Sequence, residues 1–370
     1  MPQQTPPLTL PHLILPQDAK FAWLQKALEL PYPDPRDRMA WGAFTAASAR
    51  LAQSHLPSRI QEELHEFFSP DAHSECVVRG REKRGALLIE NLPVDADLPL
   101  TPDDGRRPAR KTAVSEAVLA GLIEPHAKIF SYNNEKDGAP IHEVAPVAGK
   151  EDTPSNAGRV PFPCHTDVAF LAPDFSPQGL ALLGLRNPLA AATSILALEN
   201  ILDSAPQSLI DSLSKPIFHH PSPSSFELAV LVTAPILWRD RRGGLRIAVQ
   251  THAVQPGNNE ARAAIAELRA LLASVEPHRV ALTPGAALLF KNDRVLHARD
   301  AVAGDRWLQR AYFTSSLERF RQRAGSAPAE FVFDAFQLLR RPASLARKGR
   351  AGALKAIKKQ TAHPVLRAVT

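Results

Sequence analysis

Between residues 84 and 313 the chain repeats one pattern: a strand-length apolar run, a turn signal, then another run. Such runs cover 84–93, 129–132, 141–147, 179–185, 193–198, 226–238, 245–251, 279–282 and 286–291. Runs of this kind, bounded by Gly, Pro, Asn or Asp, read as strands. The 34 prolines tighten the constraint, because proline breaks helix interiors. Helical spacing is confined to 18–29 (Phe21, Leu24, Ala27, Leu28), 36–51, 57–68 (Ile60, Leu64, Phe67), 112–122, 199–214 and 259–274 (Ile265, Leu268, Leu271, Leu272). Residues 1–14, with Pro2, Pro6, Pro7 and Pro11, read as an extended arm, and 149–159 as a loop long enough to cover a pocket. The expected fold is mainly β with flanking helices, around a double-stranded β-helix, or jelly-roll, core. The expected division is a helical segment at 1–70 packing on the core, a jelly-roll domain at 71–325, and a basic extension at 326–370.

Hydrophobic content of 44% and charged content of 22% are those of a soluble globular protein. Cys76 and Cys164 are too few for a disulfide framework, and Met1 opens no signal peptide, so a reducing cytoplasm is expected. No run of 18 apolar residues is present, which argues against a membrane span. The net charge of +6 is concentrated: residues 340–370 hold nine Lys or Arg and no acid, leaving −3 for the rest. The body therefore lacks the overall basic charge that nucleic-acid binding calls for. The tail reads as a solvated, partly helical extension, with polyanion binding as the alternative.

Chemistry enters at Phe162-Pro163-Cys164-His165-Thr166-Asp167. On a strand, residues i and i+2 share a face, so His165 and Asp167 project together and Thr166 points away. An imidazole and a carboxylate on one face are two parts of a facial triad, the usual site for non-haem Fe(II) with open positions. His297, after the apolar run at 286–291, supplies a third ligand. Downstream, Gly304-Asp305-Arg306-Trp307-Leu308-Gln309-Arg310 puts Arg306 and Arg310 on one strand face. Two inward guanidiniums are costly unless an anion meets them, and their planar fork suits a carboxylate. A dicarboxylate that chelates the metal at one end and meets Arg at the other satisfies both features. Cys164 reads as a small packed residue.

His165-x-Asp167, the distal His297 and the Gly-Asp-Arg-Trp-Leu-x-Arg segment together resemble the Fe(II)/2-oxoglutarate-dependent dioxygenases. More narrowly, the chain is similar to the clavaminate-synthase-like branch of the taurine-dioxygenase superfamily, which includes free amino acid hydroxylases. The likeness spans roughly residues 75 to 320 and includes Arg79 to Pro93, Ser155-Asn156, Leu185-Arg186-Asn187-Pro188 and Ala192-Thr193-Ser194. The resemblance implies that His165, Asp167 and His297 hold Fe(II), and that Arg306 binds the distal carboxylate of 2-oxoglutarate with help from the Thr193 hydroxyl. Arg310 then meets either the substrate carboxylate or the co-substrate, Glu135 the substrate amine, and Asn156 the substrate from a loop. It also implies O2 as oxidant and an amino acid as the small-molecule partner. The expected reaction is hydroxylation of an unactivated carbon of a free L-amino acid or derivative, giving succinate and CO2. A carboxylate in the triad argues against halogenation, since halide would need its place. A basic substrate such as lysine or arginine would need further acids, for which Glu151, Asp152 and Asp240 are candidates. Oxidation of another small acid such as a sulfonate, or a metal-free binding or scaffold barrel, are the alternatives. Several free amino acid hydroxylases of the branch have Glu where this chain has Asp167, and segment 299–304 is short, so substrate identity stays open, as does oligomeric state.

Overall fold

The computed structural model describes residues 10–69 and 85–339, and the backbone of 367–369. Cys76, the start of the expected arm and nearly all of the basic tail lie outside the described residues. The chain opens with β1 (His12–Ile14), α1 (Gln17–Ala27), α2 (Arg38–His55) and α3 (Ser58–Phe68). Asp37 caps α2, its carboxylate accepting from the backbone N–H of Met39 and Ala40. Then come β2 (Ala86–Glu90), α4 (Val114–Ile123), β3 (Lys128–Tyr132), β4 (Ile141–Val144), β5 (Phe162–His165), β6 (Gly179–Arg186) and β7 (Ala192–Ala197). An excursion follows through α5 (Leu198–Ser204), α6 (Gln207–Leu213), β8 (Phe218–Pro221), β9 (Val230–Ala234), β10 (Leu237–Arg239), β11 (Leu245–Ile247), β12 (Gln255–Pro256) and α7 (Asn259–Ser274). The chain returns through β13 (His278–Ala281), β14 (Ala287–Lys291), β15 (Val295–Arg299) and β16 (Trp307–Thr314). It ends with α8 (Glu318–Ala324), β17 (Val332–Phe333), α9 (Ala335–Leu339) and β18 (Arg367–Val369).

Two sheets dominate. The larger has eight strands in the order β1-β2-β14-β6-β16-β3-β17, with β4 also pairing β16. The smaller has the order β13-β7-β15-β5. Every residue of β16 is buried, which requires cover on both faces. One cover is α4, itself entirely buried between α2 and the large sheet. Gly121 allows that approach: a Cβ there would lie 2.9 Å from both the Ser48 carbonyl and the Ala52 Cβ. The other cover is the small sheet, whose side chains meet those of the large one. Arg306 reaches Thr193, and the rings of Phe290 and His297 lie 4.9 Å apart. Trp23 and Trp41 from the N-terminal helices belong to the same apolar cluster as Leu183 and Leu308 of the large sheet. Among the described residues, no helix is long and apolar enough to cross a membrane.

Several expectations need correction. The helix expected over 199–214 is two helices, because Pro206 starts a second one. The strand expected over 226–238 is likewise two, split at Pro235, which cannot donate to a ladder. Within the expected N-terminal arm, β1 pairs in parallel with β2. His297 follows the turn after β14, as expected, and lies within the next strand, β15.

Candidate active site

The small sheet carries a row of directly opposed residues. Ile195 on β7 faces His297 on β15, and His297 faces His165 on β5. The row continues off the named strands, because His165 is bridged to Gln250. The bridge is flanked by Thr166 N donating to Val249 O (2.8 Å) and Thr251 N donating to Cys164 O (3.3 Å). Directly opposed residues send side chains to one face, so all four look the same way.

β5 stops at His165, and Asp167 lies in the turn that follows, not on a continuous strand as expected. The turn is forced: Val168 has φ 59°, a left-handed conformation that β-branched residues avoid. The side chains converge nevertheless. Asp167 Oδ1 lies 3.4 Å from His165 Nε2 and 3.6 Å from His297 Nε2. The ligand atoms of all three fall within 4.8 Å of one another, and all three residues are buried. Asn292 fixes the turn, accepting from Asp167 N (2.9 Å) and donating to the carbonyls of Asp167 (2.9 Å) and Pro177 (3.2 Å). His165 Nδ1 sits 2.8 Å from Pro163 O. A carbonyl can only accept, so Nδ1 carries a proton, which leaves Nε2 as the nitrogen that could bind a metal. That Nε2 is buried and has no hydrogen-bond partner in the protein. Burial pushes the Asp167 carboxyl up, but the Arg310 guanidinium, together with the His165 and His297 rings, outweighs it and holds the group below the usual carboxylate range. Burial, then the neighbouring His165, keeps His297 neutral. Two imidazoles and one carboxylate, converging with an unsatisfied nitrogen, are a donor set fit for a divalent metal such as Fe(II).

Beside the cluster, Arg306 is 3% exposed and donates through Nη2 to Thr193 Oγ1 at 3.1 Å. Among the described residues no carboxylate lies within ion-pair distance of it, and its Nε has no partner. Burial, then the nearby Arg299, lowers it to about 9, so it stays cationic at neutral pH. A buried, unpaired guanidinium beside a hydroxyl is a site for an anion. Arg310 is different. Its Nη1 donates to Asp167 Oδ2 (2.5 Å) and its Nη2 to Glu135 Oε1 (2.8 Å), and Nη2 lies 2.7 Å from His142 Nδ1. The Tyr312 hydroxyl lies 3.1 Å from Glu135 Oε2 and from Asp167 Oδ2, and Ser225 Oγ donates to Glu135 Oε1 at 3.1 Å. Burial pushes Glu135 up, yet Arg310 and His142 bring it below its ordinary value.

A cavity of about 1170 Å³ reaches the cluster at Asp167 and Arg310. Glu135, His142, Gln250 and His252 line it, and the half-buried Asn156 lies on its wall. His165, His297, Thr193 and Arg306 lie outside its lining. Glu151, Asp152 and Asp240 do not line it either, and Asp240 is engaged by Arg246. The sequence reading passed over Tyr312, His142, Gln250 and Asn292. Tyr312 had a signal, lying two residues beyond Arg310 on the same strand face. Asn292 and Gln250 had none, since their positions depend on distant pairings.

Residues 53–312 match the family described as taurine catabolism dioxygenase TauD, TfdA family. The chain is 32% identical over 252 residues to an L-asparagine oxygenase of Streptomyces coelicolor, covering 64% of this chain and 73% of that protein. It is 26% identical to an L-lysine 3-hydroxylase of Catenulispora acidiphila, covering 76% of this chain and 78% of the relative. It also resembles the crystal structure of an asparagine oxygenase in complex with Fe(II), 2S,3S-3-hydroxyasparagine and succinate. There the TM-score is 0.74 at 26% identity, over 87% of this chain and 99% of the other.

Proposed function

Because the chain belongs to the TauD, TfdA family of dioxygenases, we propose that it hydroxylates an unactivated carbon of a free L-amino acid or close derivative, with 2-oxoglutarate and O2 as co-substrates. One observation carries this reading: His165, Asp167 and His297 place their ligand atoms within 4.8 Å, with His165 Nε2 left unsatisfied. These three would hold Fe(II). When bound, the metal supplies the oxygen activation that couples decarboxylation of 2-oxoglutarate, to succinate and CO2, with substrate hydroxylation.

The chain's own residues do the rest. Arg306 and Thr193 bind the distal carboxylate of 2-oxoglutarate, the guanidinium supplying charge and the hydroxyl a second donor. Asn292 and Arg310 fix Asp167 so that Oδ1 faces the two imidazoles and Oδ2 is engaged elsewhere. Glu135 takes the substrate's α-ammonium, Arg310 lies between that site and the metal, and Asn156 approaches from the loop. In this reading the eight- and four-stranded sheets are the walls of a jelly roll spanning 71–325. Residues 1–70 pack on it, and 326–370 extend it, β17 already pairing β3.

The test is incubation of the protein with Fe(II), ascorbate, 2-oxoglutarate and each of the twenty amino acids. The readouts are succinate formation and a gain of one oxygen by mass spectrometry. Iron-dependent turnover should vanish in His165→Ala. Turnover that survives this substitution, or proceeds equally without iron, overturns the assignment.

A further inference from the structure

Gln250 completes the row that runs through Ile195, His297 and His165, and a role for it rests on the hydroxylase reading above. Gln250 is bridged directly to His165, so its side chain leaves the sheet on the same face as the imidazole. It is 6% exposed and lines the cavity. Among the described residues its amide has no hydrogen-bond partner, although a buried polar group ordinarily has one. Its neighbours on the segment are engaged: Thr251 Oγ1 donates to Cys164 O at 2.6 Å, and Val249 N donates to Thr166 Oγ1 at 3.0 Å. An amide that is nearly buried, unpartnered and on the metal-facing side is a group waiting for a ligand.

The rest of the inner wall defines that ligand. Arg310 has no acceptor, so His142 Nδ1 must accept from it, which puts the ring proton on Nε2. Burial lowers His142 to about 3, so it is neutral, and its Nε2–H is a buried donor without a protein partner. The deep carboxylates of the cavity are already engaged. Asp167 and Glu135 share Arg310 and Tyr312, and Glu143 accepts from Trp307 (2.6 Å) and Gln309 (2.9 Å). The other acids on the wall, Asp34, Asp104, Asp137 and Glu227, are exposed. With Glu135 assigned to the α-ammonium, a cationic side chain would therefore meet a donor at His142 and no further buried counter-charge. A carboxamide offers one acceptor and two N–H donors, which matches Gln250 and His142 together.

We propose that Gln250 selects an uncharged substrate side chain with both donor and acceptor, a carboxamide, and excludes lysine- or arginine-type side chains. Two measurements test it on the Fe(II)- and 2-oxoglutarate-loaded full chain. One is calorimetric binding of asparagine, glutamine, aspartate, lysine and arginine without oxygen. The other is succinate and hydroxylated product formed from each in air. The amide amino acids should bind and react at least about tenfold better than lysine or arginine, the worth of one well-made hydrogen bond. Gln250→Glu should reverse the order towards the basic amino acids, and the near-isosteric Gln250→Leu should lose amide binding without gaining basic ligands. Preference for lysine or arginine in the unaltered protein overturns the proposal, as does an unchanged order in both variants. Either result with iron-dependent 2-oxoglutarate consumption intact leaves the hydroxylase reading standing. Absence of that consumption overturns the reading and this inference with it.

Discussion

Arg310 and Asp167 form a fully buried ion pair, with Nη1 2.5 Å from Oδ2. The contact divides the carboxylate. Oδ2 is committed to the guanidinium, and Oδ1 faces His165 and His297. The same guanidinium reaches Glu135, so one side chain ties the cluster of His165, Asp167 and His297 to the wall of the cavity.

Removing that side chain should harm stability as well as activity. In Arg310→Met, Asp167 and Glu135 stay buried without a counter-charge, a loss of about 3–5 kcal/mol. Arg310→Lys keeps the charge but cannot fork to both acids. Urea unfolding should rank the proteins wild type, Lys, then Met. A Met variant as stable as wild type would show that the pair is not holding its surroundings.

Arg306 and Thr193 should separate by magnitude. Arg306→Leu removes the only charge assigned to the distal carboxylate and should raise KM for 2-oxoglutarate by about 100-fold or more, the worth of a charge-assisted pair. Thr193→Val removes one neutral hydrogen bond, an effect of about tenfold at most. Succinate release against 2-oxoglutarate concentration measures both. The reverse order would move the anion site elsewhere.

Asn292 does not line the cavity, yet holds the Asp167 backbone at both N and O. Asn292→Ala should weaken iron binding by about 10- to 100-fold, as loss of a group that orients a ligand does. Titration of the apoprotein with Fe(II) under argon reads this directly. An unchanged affinity would mean that the turn holds its shape alone.

Glu143 gives a pH dependence with a definite sign. Burial, then repulsion from Glu116, pushes it up to about 7. Gln309 Nε2 lies 3.0 Å from Glu116 and 2.9 Å from Glu143, bridging the two. A raised carboxyl favours folding while protonated, so its contribution is full below the ordinary value of 4.5 and is lost as pH rises through about 7. Glu143→Gln should remove that loss and stabilise the fold at pH 8 relative to wild type by about 3 kcal/mol. Equal slopes of stability against pH between 5 and 8 in both proteins would contradict it.

Strands were legible, and His165 and Asp167 drew notice, because both depend on short-range spacing, although Asp167 meets His165 through a turn and not along one strand. Leu288 to Phe290, or His165 and Asp167, can be read from neighbours alone. Prolines showed where it misleads. Pro206 and Pro235 lie inside runs whose apolar content is continuous, so periodicity carried the expected helix and strand straight through them. Arg306 and Arg310 looked equivalent at i and i+4. Their difference lies in residues about 110 to 175 positions away, Thr193 for one and Asp167 with Glu135 for the other. Gln250 was silent for a related reason: its meaning comes from lying opposite His165, a pairing set by the whole excursion between β7 and β13.

Val168 follows Asp167 at φ 59° and is 1% exposed, so its packing must outweigh a backbone angle that its branched side chain resists. Glycine there would ease the angle but give the turn new freedom, on top of the hole left by the lost side chain. Val168→Gly should therefore shed iron faster than wild type even where its melting temperature holds. Heat tolerance and grip on the metal would then respond separately to a change at this one peptide unit.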